Sequence, residues 1–179
     1  MNKKVIIHSL ILLTAVTITF FWITDPDLNY YSLQLTAVLL LTLIVTHRIL
    51  KPVSYKLAES TISTMAVLLI SSTNGGISSP LFFLNYILLF ELSLLLEPVI
   101  PLLLSVMLVV FYLASGNKNT SYFQYLELAA FPLITPLAVF FGKIYQKVQN
   151  QKKEIKNLSN KVEELEEELV EEEMEKETI

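Results

Sequence analysis

"LFFLNYILLFELSLLLEPVIPLLLSVMLVVFYLA", residues 81–114, decides how this chain folds. As one helix it would be about 50 Å long at ~1.5 Å per residue, against a hydrocarbon core of about 30 Å. It is too apolar to leave a membrane and too long to cross it once, so it must turn back. The turn lies in "EPVIP", residues 97–101, where two prolines lack the N–H of an interior helix bond and Glu97 prefers water. The reading is a tight hairpin of two spans, 81–96 and 99–115.

Outward from that hairpin, residues 5–23, 32–50 and 126–142 are apolar enough for further spans of about 17–25 residues. Residues 55–72 are a sixth, with Glu59, Ser60, Thr61, Ser63 and Thr64 crowding its first half. Such a helix suits a bundle interior, where hydroxyls bond to backbone or to neighbouring helices rather than facing lipid. The expected fold is therefore all-α: a six-helix transmembrane domain over 1–142, followed by a cytoplasmic coiled-coil segment over 143–179. Composition agrees, with 53% hydrophobic and 17% charged residues, where soluble domains carry about 25% charged. Mean hydropathy is +0.56.

Charge sets the orientation. The flanks on the N-terminal side of the membrane carry Lys3, Lys4, Arg48, Lys51, Lys56, Lys143, Lys147, Lys152 and Lys153, while the opposite flanks carry Lys118 alone. Basic flanks stay cytoplasmic, which predicts both termini inside, in a bacterial-type inner membrane. Trp22, Tyr30, Tyr31, Tyr122 and Tyr125 then fall at the outer interface as an aromatic belt. "MNKK" and the apolar run after it could open a signal peptide, but no small-x-small cleavage site follows Leu13, which favours an uncleaved first span.

The chain has no cysteine, which excludes disulfides and thiol chemistry, and its two histidines, His8 and His47, have no carboxylate at metal-ligand spacing. No metal site, no phosphate-binding loop and no nucleophile with its base is legible, so the expectation is a protein that is not an enzyme. No nucleic-acid partner is expected.

"TNGGISSP", residues 73–80, sits between two apolar spans and holds two of the four glycines. Gly75 and Gly76 permit positive φ at a tight turn, Pro80 can fix the start of the next helix, and Ser78 or Ser79 can cap it. That turn is a sufficient account in itself. A sharper one takes Asn74, Gly75, Gly76, Ser78, Ser79, Pro80, Phe82, Phe83 and Tyr86 as a ligand site. Backbone N–H groups and hydroxyls would meet carbonyl oxygens, and rings would stack on an aromatic head group.

"GGISSPL" resembles the GGxxNPF heptapeptide of RegB-type redox-sensing histidine kinases, and "NGGISSPLFFLNYILLF" is similar to the membrane input regions of many multi-pass bacterial histidine kinases. The resemblance implies several spans, this element at an outer helix junction, quinone as the candidate ligand, and a cytoplasmic helix leading to a dimeric kinase. Gly75, Gly76 and Pro80 match the heptapeptide; Ser79 stands for its Asn and Leu81 for its Phe. With the last histidine at His47, the kinase domains of such proteins are not expected within these 179 residues.

From Val148 the sequence falls into heptads, with Val148, Ile155, Val162 and Leu169 at a, and Gln151, Leu158, Leu165 and Glu172 at d. β-Branched residues at a with Leu at d favour parallel two-stranded coils. Backwards, the register places Ile144 at d and Phe141 at a. Lys161 and Glu166 attract across a parallel dimer, whereas Glu168 and Glu173 repel, so the coil is expected to be ordered to about residue 169. The alternative is a solvated single helix with an acidic end. Residues 161–179 hold ten glutamates against two lysines; removing that −8 from the overall −4 leaves residues 1–160 at +4.

Glu59, Glu91 and Glu127 fall inside or near spans, where a carboxyl is costly. Glu59 and Glu91 are the intramembrane polar candidates, with Ser/Thr neighbours as structural partners and ion translocation as the rival role. Pro132 and Pro136, one turn apart, invite a kink in the last span. The expected function is a sensor-like membrane protein relaying a membrane or quinone-type signal through a homodimeric coil to a separate signalling protein. A membrane anchor whose coil recruits other proteins is the alternative, and a small transporter the third. Membrane lipid is a partner in each case.

Overall fold

The computed structural model describes residues 3–49, 52–115 and 122–177. The described residues are almost all helical, with no strand among them, in the order α1 (Lys3–Thr24), α2 (Pro26–Tyr30), α3 (Ser32–Ile49), α4 (Pro52–Thr73), a 3₁₀ turn (Gly76–Ser78), α5 (Leu84–Leu95), α6 (Val99–Ser115) and α7 (Tyr122–Glu177). The chain divides into two compact units, 1–143 and 144–179.

Each of the six expected segments is helical, but length and apolarity qualify fewer of them as membrane crossings. Among the described residues two stretches are long and apolar enough, Val5–Thr24 and Tyr122–Leu169; Ser32–Thr46, Leu84–Leu95 and Val99–Ser115 are apolar but shorter. The reasons are local. The segment expected to be helical from residue 81 turns through Phe82 N–H to Ser79 O (3.0 Å), Leu84 N–H to Leu81 O (3.1 Å) and Asn85 N–H to Phe82 O (3.1 Å) before the α-helix begins at Leu84. These i to i−3 bonds consume the first turn of the span. The α4 segment is a full helix of 22 residues, but its Ser/Thr/Glu run dilutes its apolarity.

The connection between α1 and α3 contains the short helix α2. Asp25 caps it, Oδ1 accepting from Asp27 N–H at 3.0 Å and Leu28 N–H at 3.3 Å, with Pro26 at the first helical position. The cap satisfies N–H groups that have no partner within the helix.

In the first unit α4 is central, packing against α1, α3 and α5, while α6 packs on α1 and α5. Leu12, Leu68, Leu88, Leu89, Leu92, Leu104 and Leu108 fill the core. Polar residues join them inside: Thr19, Ser60, Thr64, Ser71, Asn85, Ser93, Ser105 and Thr135 are all buried. Most answer to their own helix, as with Thr19 to Ala15 O (2.9 Å), Thr64 to Ser60 O (2.6 Å) and Ser93 to Leu89 O (2.7 Å). The outside is correspondingly apolar. On α3, Leu33, Val38, Leu41, Ile44, Val45 and Ile49 are exposed, and among its described residues only Ser32 and Thr36 are buried.

In the second unit the heptad segment is a single helix, part of α7. Residues 151–169 are exposed throughout, and so are Val148, Ile155, Leu158, Val162, Leu165 and Leu169 along its apolar stripe. The expected coiled-coil segment is thus seen as one continuous helix with its apolar stripe exposed.

Candidate functional site

The glycine-rich junction follows α4 directly. Asn74 Nδ2 donates to Ile70 O at 2.7 Å, ending that helix, and Gly75 then takes φ 111° and Gly76 φ 63°. Side chains other than hydrogen disfavour both values. The junction closes on itself: Ser78 N–H donates to Gly75 O (3.2 Å), Ser79 N–H to Gly76 O (3.1 Å) and Leu81 N–H to Ser79 Oγ (3.0 Å). These N–H groups are therefore already bonded, contrary to the expectation that the junction leaves them open. Ser79 supports the turn after Pro80, and the expected helix start at Pro80 is displaced to Leu84.

The rings expected at the site separate. Phe83 is exposed, whereas Phe82 is only 5% exposed. Phe82 lies 5.1 Å from Tyr112, 5.5 Å from Phe131 and 5.8 Å from Tyr86, centroid to centroid. Its faces meet protein rings, so Phe82 offers no free stacking surface. Tyr86 is half-buried, 4.9 Å from Phe131, and its hydroxyl donates to Glu127 O at 2.9 Å.

Beneath the junction is a polar cluster that sequence reasoning missed. Asn85, fully buried, donates through Nδ2 to Ser71 Oγ (3.1 Å) and Phe82 O (2.9 Å), and its Oδ1 accepts from the Tyr112 hydroxyl at 3.1 Å. Three helices, α4, α5 and α6, are joined by one amide whose donors and acceptor are all engaged. The available signal was an Asn in the first turn of an apolar span, where an amide is expensive without partners. Beside Ser71, the Ser72 hydroxyl is buried without a hydrogen-bond partner among the described residues, as is the indole Nε1 of Trp22 near the same end of α1.

The junction is tied to the start of α7. Gln124 Nε2 donates to Ser78 Oγ. With the Tyr86 bond to Glu127 O and the packing of Phe82 and Tyr86 on Phe131, this makes three links within about two turns of α7. Both Pro132 and Pro136 lie inside that helix, which runs through them.

At the other end of α5 stands the acidic pair. Ser63 Oγ donates to Glu91 Oε1 at 3.0 Å, the Ser/Thr partnership expected from sequence. Glu59, one turn before Ser63 on α4, is close enough to Glu91 to interact electrostatically, and its Oε2 is buried without a hydrogen-bond partner among the described residues. Glu127, by contrast, is exposed. Among the described residues no three His, Cys, Asp or Glu side chains come together as a metal site would require.

A second contact escaped the sequence reading. A Cβ placed on Gly142 would lie 2.2 Å from Ser93 O and 2.8 Å from Ser93 C. The α5 and α7 backbones touch there, and Ala138, one turn earlier on the same face, is fully buried. The signal was present as Ala138-x-x-x-Gly142, the small-residue spacing that lets membrane helices approach closely.

No family model, curated protein or solved structure matches this chain.

Proposed function

We propose that this chain is a non-enzymatic, multi-pass membrane protein of the sensor type, similar in layout to the input regions of bacterial histidine kinases. It crosses the inner membrane six times, with residues 1–4 and the helix beyond Gly142 on the cytoplasmic side. The observation that carries the reading is the set of three links to α7, one from Ser78 of the glycine-rich junction and two from the residues that follow it at the start of α5. A change at the junction has a direct mechanical route into the helix that continues to Glu177. That helix pairs with a second copy as a parallel coiled coil through its proximal heptad positions Val148, Ile155 and Leu158, and the dimer passes the change to a separate signalling protein.

Membrane residence is supported by the inverted distribution of residues: Asn85, Thr64 and Ser93 inside, the leucines and valines of α3 outside. A soluble monomer rarely exposes so large an apolar surface. A ligand with carbonyl oxygens, a quinone being the candidate, would find donors at the unpartnered Ser72 hydroxyl and Trp22 indole near the outer ends of α4 and α1.

The anchor reading is favoured by the enclosed state of Phe82 and by the internally bonded N–H groups of the junction. One experiment separates the two. The chain contains no cysteine, so Gln151→Cys takes a single spin label, and the distance between labels in the dimer can be followed in nanodiscs as a short-chain ubiquinone or menaquinone analogue is added. A relay shifts the distance saturably, and Ser78→Ala, which cuts the link to Gln124, blunts the shift. An unchanged distance at saturating analogue leaves the anchor.

A further inference from the structure

We infer that the distal part of α7, from Val162 onward, docks a basic amphipathic helix of a different protein rather than a second copy of itself. The inference rests on the proposed role of α7 as the segment through which this chain meets its partner, and names that partner's chemistry.

The apolar stripe does not end where self-pairing becomes unfavourable. Val162, Leu165 and Leu169 are 54%, 58% and 61% exposed, as open as Leu158 at 57%. Such residues in water require a cover, and a helix with matching apolar positions supplies it. What flanks them selects the cover. In the heptad register, the e and g positions beside and beyond this patch are Glu166, Glu168, Glu173 and Glu175.

In a parallel pair of identical helices, g of one chain meets the following e of the other, so Lys161 would face Glu166 favourably at the start of the patch, but Glu168 would face Glu173 of the second copy beyond it. The wider charge field has the same sign. Residues 162–177 carry ten glutamates and one lysine, whereas residues 143–161 carry six lysines and one glutamate. Two copies leaving one membrane in parallel bring acidic segment against acidic segment. Like charges flanking an apolar seam exclude the identical partner and admit one of opposite sign, so the same glutamates repel self and attract a basic helix. The occupant is therefore an amphipathic helix with Lys or Arg at the positions flanking its own apolar seam. The glutamate at d, Glu172, closes the apolar stripe and limits the docked segment to about two heptads.

The test uses the full chain in nanodiscs of zwitterionic lipid and two labelled synthetic helices. Both are about three heptads long with Ile at a and Leu at d; one has Lys at every e and g, the other Glu. Fluorescence anisotropy is expected to show saturable binding of the Lys helix at least about tenfold tighter than the Glu helix, and weakened by salt as the Debye length falls from about 10 Å at 0.1 M to about 3 Å at 1 M. Glu166→Lys, Glu168→Lys, Glu173→Lys in one chain is expected to reverse the preference.

Self-pairing is read independently by oxidative cross-linking of Gln151→Cys, at a proximal d position where parallel helices bring cysteines within disulfide reach. Binding of the Lys helix upholds the inference with or without cross-linking, which reads the proximal pairing alone. Cross-linking without preference for the Lys helix overturns the inference and leaves the homodimer standing. Equal binding of both helices, or binding of neither, overturns it as well.

Discussion

The two ends of the α5–α7 pair are built on opposite principles. At the end near the glycine-rich junction rings fill the space: Tyr86 lies 4.9 Å from Phe131 and Phe82 lies 5.5 Å from it. At the opposite end side chains vanish, and Gly142 lies so close to Ser93 that a Cβ would come within 2.2 Å of its carbonyl oxygen. Rings can slide and tilt against one another, whereas touching backbones cannot move without separating the helices. The backbone contact is thus suited to be a fixed point and the ring contact an adjustable point, which is the arrangement a lever requires. It also gives glycine two unrelated roles in one chain: Gly75 and Gly76 are needed for φ and have open or ordinary surroundings, while Gly142 is needed for space.

The sharpest way to break this contrast is Gly142→Ala. Alanine improves helix propensity by about 1 kcal/mol, but the added methyl strikes backbone rather than a side chain that could rotate away. Overpacking costs ~1–3 kcal/mol when a core can adjust, and more where the obstacle is main chain. The expected net loss is about 2 kcal/mol or more, a fall of roughly 4–8 °C in the thermal midpoint in nanodiscs for a chain of this size. An unchanged midpoint would mean that the helices part freely, and the fixed point would be lost from the account.

Next in size is Asn85→Leu. The volume is nearly conserved, but the hydroxyls of Tyr112 and Ser71 lose the Asn85 amide and keep only each other as partners. Leaving buried groups unbonded costs about 1–3 kcal/mol, whereas removing both partners together costs far less. The expected loss is about 1–2 kcal/mol for Asn85→Leu, and a smaller loss for Asn85→Leu combined with Tyr112→Phe. A double variant less stable than Asn85→Leu would show that the cluster is held by packing rather than by its hydrogen bonds.

These two sites mark what the sequence concealed. The turn at "EPVIP", the helical state of all six apolar segments and the need of Glu91 for a Ser/Thr partner were legible, because each depends on neighbours in sequence or on the polarity of whole stretches; that the partner is Ser63 was not. Asn85 meets Tyr112 across 27 positions, and a lone amide does not announce which partner it will find. Gly142 read as the end of a span, although Ala138 one turn earlier carried the signal of close approach. The late start of α5 at Leu84 was hidden for a different reason. Pro80 and the apolar residues after it suit a helix and a series of tight turns equally well, and the choice fell to Phe82, whose ring is buried among Tyr86, Tyr112 and Phe131.

The smallest expected effect tests the adjustable end. Gly76→Ala meets nothing within 4 Å, and its φ of 63° lies in the left-handed region that a methyl group tolerates at a cost of about 1 kcal/mol. Gly75→Ala has only ordinary contacts, at 3.8 and 3.9 Å, but its φ of 111° lies further from any well open to alanine, and the cost is somewhat higher, at the low end of the ~1–3 kcal/mol range for strained backbone. Thermal midpoints should therefore fall in both, more for Gly75→Ala, and neither as far as for Gly142→Ala. Their signature lies in where the loss appears. Strain at Gly75 loosens the Ser79 and Leu81 bonds and the grip of Ser78 on Gln124, so amide exchange should quicken in residues 76–86 and in the first turns of α7 while Ser93 and Gly142 stay protected. Quickened exchange at Gly142 as well would mean that the two ends open together, and the junction would then bear on α7 as one rigid block rather than as a lever about a fixed point.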